Sequence, residues 1–294
     1  MSNDNKKTSW YDWYQSFDQT HSPEARRQWY NDAAQAYRWA RPTYPDALID
    51  RAIAKACLTP ESSILEIGCG PGIATASFAA RDLTMHGVEP SPAACELARK
   101  SCEAYPQVTI TNSTFESFEL DDRQFDAVLA ATSFHWISPE VACQKSAAAL
   151  KPGGSLILLW ATPPQPNEEI CQYLQPVYEK HQLGEKIRYQ WREQDYYQTN
   201  FDHFAQTIGE SGWFEQTEVT IEKHQSTYSI EKYLALLSTL SDYIALDEQT
   251  RTSLMADLAV QLEKRQKGEE LALTHWFASQ IAPLKLTLLD KRLS

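Results

Sequence analysis

The sequence is short of several things, and each shortage removes a class of protein. It has no long apolar run: Leu156 to Ala161 is far below the roughly 20 residues that cross a bilayer. It has no run of Lys or Arg, and 27 basic against 39 acidic residues leave a net charge of −12, which disfavours a nucleic-acid backbone as partner. Its cysteines, Cys57, Cys69, Cys95, Cys102, Cys143 and Cys171, form no C-x-x-C pair and no regular spacing, so neither a zinc site nor a disulfide framework is expected. No H-x-E or aspartate-rich pattern appears, and the expectation is no metal. Met1 to Thr8 is polar, unlike a secretory signal. The expected protein is cytoplasmic, with no nucleic-acid or membrane partner, and monomeric or homodimeric.

Against these shortages one stretch stands out. Glycine is scarce, at 10 in 294 residues, yet Gly68, Gly70 and Gly72 alternate directly after the apolar run Ile64 to Ile67. Ile73 to Ala80 then reads as a helix. Such a strand, glycine turn and helix N-terminus aims backbone N–H groups at a ligand and lets the main chain approach it closely. The dinucleotide pattern G-x-G-x-x-G fails, because Ile73 and Thr75 stand where its last glycine belongs. What is present is acidic-x-G-x-G-x-G, with Glu66 leading. A second short strand, Thr84 to Val88, ends in Glu89, about 20 residues past the turn, where a carboxylate can accept both ribose hydroxyls of an adenosine. Ser91 and Pro92 supply the N-cap and first position of the next helix.

The motifs Glu66-Ile67-Gly68-Cys69-Gly70-Pro71-Gly72, Gly87-Val88-Glu89-Pro90-Ser91, Phe125-Asp126-Ala127-Val128 and Leu150-Lys151-Pro152-Gly153-Gly154 follow in order. In them the chain resembles the class I S-adenosylmethionine-dependent methyltransferases over roughly residues 30 to 162. Arg41-Pro42-Thr43-Tyr44-Pro45 and Ser133-Phe134-His135-Trp136 resemble the small-molecule group that includes trans-aconitate methyltransferases. The resemblance implies S-adenosylmethionine as cofactor, S-adenosylhomocysteine as product, and a small-molecule acceptor. It also implies a cofactor site of Tyr37, Arg41, Glu66, Gly68, Cys69, Gly70, Gly72, Glu89, Pro90, Ala131 and Thr132. Many relatives carry an aspartate near Thr114 for the adenine; this chain does not, which leaves Thr114, Phe115 and Glu116 for that contact.

Apolar strands alternate with helices through short links, so the expected fold is α/β and doubly wound. By resemblance it is a Rossmann-like, mostly parallel sheet of seven strands with an antiparallel last strand and a helical cap. Four parts are expected: an aromatic and helical lid over residues 1–44, a core over 45–162, a cap over 163–202 and a C-terminal part over 203–294. The last contains a second helical insertion over about 229–267. Trp10, Tyr11, Trp13, Tyr14 and Phe17 form an aromatic segment expected to dock on the domain or on a second subunit. Helix from Phe201, strand from Trp213 to Lys223 and strand from Leu271 to Ile281 complete the reading.

A sulfonium methyl is already electrophilic, so the protein must chiefly orient an acceptor and exclude water, which can supply about 7–11 kcal/mol of barrier reduction. His135 follows the fourth strand at the carboxyl edge of the sheet, where ligands bind in such folds. It is the candidate catalytic base, or it orients the ribose, or it holds the loop. Trp136 is packing or a wall of the acceptor pocket. A carboxylate acceptor would need no base near neutral pH but would need cationic anchors, for which Arg188 and Arg192 are the candidates. Arg41 either pairs with a carboxylate or caps local backbone. The alternative to an enzyme is a regulator that binds S-adenosylmethionine or S-adenosylhomocysteine without turnover.

Overall fold

The computed structural model describes residues 23–120, 125–184, 187 and 191–285. The aromatic segment from Trp10 to Phe17 and Arg188 lie outside the described residues. Two helices, α1 (Pro23–Ala40) and α2 (Asp46–Lys55), lead into strand β1 (Ser63–Ile67). Then follow α3 (Ile73–Ala79), β2 (Thr84–Glu89), α4 (Pro92–Ser101), β3 (Val108–Asn112), β4 (Phe125–Ala131), α5 (Pro139–Ala149) and β5 (Leu150–Ala161). The five strands are parallel, in the order β3-β2-β1-β4-β5. The cap expected at Ser91 is made, and Ser138 caps α5 in the same way, each hydroxyl accepting from a backbone N–H of the first turn with proline at the helix start.

The second half completes the sheet and adds helices to it. After a two-residue strand, β6 (Gln165–Pro166), come α6 (Glu168–Lys180), α7 (Gln194–Glu210) and β7 (Thr220–Tyr228). Three more helices, α8 (Ile230–Leu237), α9 (Ser241–Ile244) and α10 (Glu248–Gln266), precede β8 (Leu271–Pro283). Strand β8 runs antiparallel between β5 and β7. Thr274 pairs with both Gln165 and Gln225, so β6 continues the β5 edge of β8 and β7 takes the other. Among the described residues the sheet therefore has eight strands rather than the expected seven, with β8 alone against the common direction. Among the described residues no helix is long and apolar enough to cross a membrane.

Buried side chains explain the layering. Along β5, Leu156, Leu158 and Trp160 face α5 and α7, while Ile157 and Leu159 face Leu48, Ile49 and Phe78 of α2 and α3. A strand buried on both faces reads as an unbroken apolar run, as this one does. A further core joins Leu174 and Tyr178 of α6 to Leu236, Tyr243, Leu254 and Leu258 of the last helices, closed by Leu271 and Leu273 of β8. Each fully buried leucine contributes about 1.5–3 kcal/mol.

Three boundaries differ from the sequence reading. β5 begins at Leu150 rather than at the apolar run from Leu156 that the sequence reads as the strand, because Phe125 pairs with Leu150 and Ala127 with Ser155, and the intervening Lys151–Gly154 is taken up as an irregularity in the strand. Helix α7 begins at Gln194 rather than Phe201, with no side-chain cap to mark it. β7 is displaced toward the C-terminus, to Thr220–Tyr228, and carries mostly polar residues.

Candidate functional site

The glycine turn sits at the carboxyl end of β1, under a pocket. Gly70 has φ +53°, and a Cβ built on it would meet nothing within 4 Å, so a side chain there would project into open space. Gly72 serves packing instead: its Cβ would lie 3.0 Å from the Cα of Ala98 on α4. Of the residues expected to hold a cofactor, Tyr37, Arg41, Glu66, Gly68, Cys69, Gly70, Ala131 and Thr132 line this one pocket. The structure adds Pro42, Tyr44, Pro71, Ile73, Ala74 and Ala161. Tyr44 and Pro42 belong to the motif that carried the finer resemblance; Ala161 was signalled only by ending β5.

Two buried carboxylates define the electrostatics. Glu66 is 1% exposed and accepts the Thr75 hydroxyl at 2.6 Å. Burial, with the charge of Glu89 in addition, pushes its pKa up to about 8. Glu89 is 5% exposed and is not among the lining residues, one oxygen accepting from Gly70 N at 2.9 Å and the other from Ser91 N at 2.8 Å. Burial raises its pKa to about 7, and those two N–H bonds restrain the rise. Each oxygen keeps acceptor capacity beyond its one backbone bond. Burial also pushes the Cys69 thiol well above its ordinary range.

The opposite wall is held by a strained residue. Thr132, just after β4, has φ +57°, which is unfavourable for a β-branched side chain. Three hydrogen bonds hold it there: its N–H donates to Leu159 O at 2.7 Å, its hydroxyl accepts Ala161 N–H at 2.9 Å, and it pairs with the Tyr44 hydroxyl at 2.8 Å. Arg41 forms the roof. Its guanidinium lies 4.8 Å over the Tyr37 ring and donates from Nε to Thr239 Oγ1 at 2.9 Å and from Nη2 to Thr239 O at 3.1 Å. Thr239 was not anticipated, and no local pattern marks it.

The remaining expected residues lie off the pocket. Pro90 follows Glu89 in the β2–α4 link and accepts from Asn112 Nδ2 at 3.0 Å. Thr114 spends its hydroxyl on Ser117 N–H at 3.2 Å, Phe115 is buried beneath Lys145, and Glu116 is exposed. His135 has its ring against Trp136 and Trp160, centroids 4.8 and 5.7 Å away, and burial, aided by the charge of Arg41, lowers its pKa to about 3. It is thus a neutral imidazole and a weak base at neutral pH. Trp160 in turn packs on Phe201 and Phe204 of α7. Arg192 lies 4.3 Å over the Tyr196 ring, with its backbone paired to Gln165. Among the described residues no group of three or more His, Cys, Asp or Glu could hold a metal ion.

Comparison with known proteins agrees with this geometry. Residues 64–154 match the methyltransferase domain family. An uncharacterised methyltransferase of Mycobacterium tuberculosis is 35% identical over 133 residues, which cover 45% of this chain and 52% of that protein. A demethylmenaquinone methyltransferase of Tropheryma whipplei is 30% identical over 146 residues, covering 47% and 59%. The chain thus spans about half the length of the curated relatives it matches. A solved structure described as a type II methyltransferase, from Anaeromyxobacter dehalogenans, superposes with a TM-score of 0.56 at 20% identity, over 84% of this chain and 98% of that one. The strand order, the glycine turn and the family match converge: residues 64–154 are similar to a methyltransferase domain, carried on an α/β fold that the chain shares with a solved methyltransferase structure.

Proposed function

We propose that the protein binds S-adenosylmethionine in the pocket above Gly70 and transfers its methyl group to a small-molecule acceptor. The observation that carries this reading is the pairing of an open glycine turn with two buried carboxylates at the carboxyl edge of β1 and β2. S-adenosylmethionine would supply a methyl group already activated on a sulfonium. The chain's own residues have binding and orienting roles. Gly70 admits the ligand close to the backbone; Glu89 and Glu66 offer acceptors to its hydroxyl and ammonium groups; Arg41 and Tyr37 close over its amino-acid end. Tyr44 and Thr132 stiffen the wall behind the methyl.

The finer reading is an acceptor that is itself an anion, a carboxylate above all, as the likeness to trans-aconitate methyltransferases suggests. One feature supports it: such an acceptor needs no general base at neutral pH, and His135 is a weak one. We divide the chain accordingly into a lid (1–44), a cofactor-binding core (45–162), a cap (163–202) and a C-terminal part (203–294). Calorimetry with S-adenosylmethionine, S-adenosylhomocysteine and NAD(H), followed by a screen of carboxylate, hydroxyl and amine acceptors with labelled methyl donor, tests the proposal. Tight S-adenosylhomocysteine binding with labelled product supports it. Binding without product from any acceptor would favour a regulator, and preference for NAD(H) would refute the cofactor.

A further inference from the structure

We propose that Thr239, in the turn between α8 and α9, and Tyr228, the last residue of β7, are positioning residues that hold Arg41 in the cofactor pocket. The inference rests on reading that pocket as the S-adenosylmethionine site. Arg41 follows the last residue of α1, and among the described residues its guanidinium is the one cationic group on the pocket lining. No described carboxylate lies within ion-pair distance of it. Its placement comes instead from residue 239, whose hydroxyl and carbonyl accept from Nε at 2.9 Å and Nη2 at 3.1 Å.

The receiving group is itself fixed. Thr239 is 3% exposed, and its hydroxyl proton goes to Leu236 O at 2.6 Å, so a lone pair is left for Arg41. Tyr228 adds a second tether, donating its hydroxyl to Ala40 O at 2.6 Å. That carbonyl belongs to the last turn of α1, where helical partners run out. Two of the five guanidinium N–H donors are thereby spent on Thr239 and three remain for a ligand. An arginine held in this way loses little side-chain freedom on meeting a carboxylate, and preorganisation of this kind appears as affinity. The segment from Tyr228 to Thr239 thus completes the cofactor pocket through Arg41, although no described residue later than Ala161 lines it.

The test is calorimetric affinity for S-adenosylhomocysteine in a double-mutant cycle, with thermal unfolding of each variant alongside. Thr239→Val keeps shape and burial but removes the acceptor; it should weaken binding about three- to tenfold. Thr239→Ser restores the hydroxyl and should bind within about twofold of wild type. In an Arg41→Ala background, Thr239→Val should have no further effect, since its route to the ligand is already gone. A general loosening of the fold would weaken both backgrounds alike, and that result would overturn the inference. So would an unchanged affinity in Thr239→Val. If Thr239→Val fails to fold, Tyr228→Phe, lacking only the hydroxyl, should bind about threefold more weakly in the wild-type background alone. Unchanged affinity there would equally overturn the proposal. Wild-type protein that does not bind S-adenosylhomocysteine would refute the cofactor reading itself, and this inference with it.

Discussion

The two buried carboxylates predict how cofactor affinity depends on pH. Without ligand, Glu66 titrates near 8 and Glu89 near 7, both raised from 4.5 by burial. At pH 6 both are therefore largely protonated. A ligand that offers them hydroxyl and ammonium donors favours the ionised forms, so binding must release protons and affinity must rise with pH. The limit is about tenfold per pH unit for each proton released, so Glu66 alone can give between ten- and roughly a hundredfold between pH 6 and 8. The ligand-free protein should show the opposite trend in its stability. Each group's folded pKa lies above its unfolded value, so its contribution to stability is complete below about pH 4.5 and is lost as pH rises through 7 to 8. The loss for each group runs at no more than about 1.4 kcal/mol per pH unit. Glu66→Gln should remove one proton from the binding stoichiometry, flatten the affinity profile and slow the loss of stability as pH rises from about 4.5 to about 8. Calorimetry with S-adenosylhomocysteine in two buffers of different ionisation enthalpy counts the protons directly. A flat affinity from pH 6 to 8 with no proton exchange would mean that both carboxylates are already ionised, and the burial argument would fail.

Other outcomes follow from the same geometry. Gly70→Val should abolish S-adenosylhomocysteine binding while circular dichroism stays native in character, because its side chain enters open space at a positive φ. Thr132→Ala removes the hydroxyl shared by Tyr44 and Ala161 N–H and should lower stability by about 1–3 kcal/mol in urea unfolding. Thr132→Gly, which relieves the strain, should lose less than Thr132→Ala, and the reverse order would argue against strain at this residue. Arg192→Ala, which removes a guanidinium held over Tyr196 and away from the pocket, should leave S-adenosylhomocysteine affinity within about twofold by calorimetry.

Much of the fold was legible because its first half obeys local rules. Ile64–Ile67 and Phe125–Ala131 are short apolar runs, and Ser91-Pro92 and Ser138-Pro139 are explicit helix starts. The pocket residues near the glycine turn were legible for the same reason, since backbone geometry demands particular residues there. The misplaced elements carry no such signal. Helix α7 starts without a side-chain cap, and β7 alternates exposure along Thr-Ile-Glu-Lys-His-Gln-Ser-Thr-Tyr without a clear apolar face. Lys151-Pro152-Gly153-Gly154 reads as a turn, yet it lies within β5 as an irregularity, and Leu150 before it already pairs with Phe125. The burial of His135 against Trp160 depends on α7 folding back over β5, which no local pattern announces.

The tether between Arg41 and Thr239 also sets a schedule. The two residues are 198 positions apart, and a ribosome adding about 5–20 residues per second takes roughly 10–40 s to cover that distance. Through that interval the parallel strands β1 to β5 can assemble, while Arg41 waits for the acceptors that fix it and β5 lacks its neighbour β8. A nascent chain therefore gains its glycine turn early and its roof late. Ligand present during synthesis has a half-built pocket to meet until the last helices have emerged.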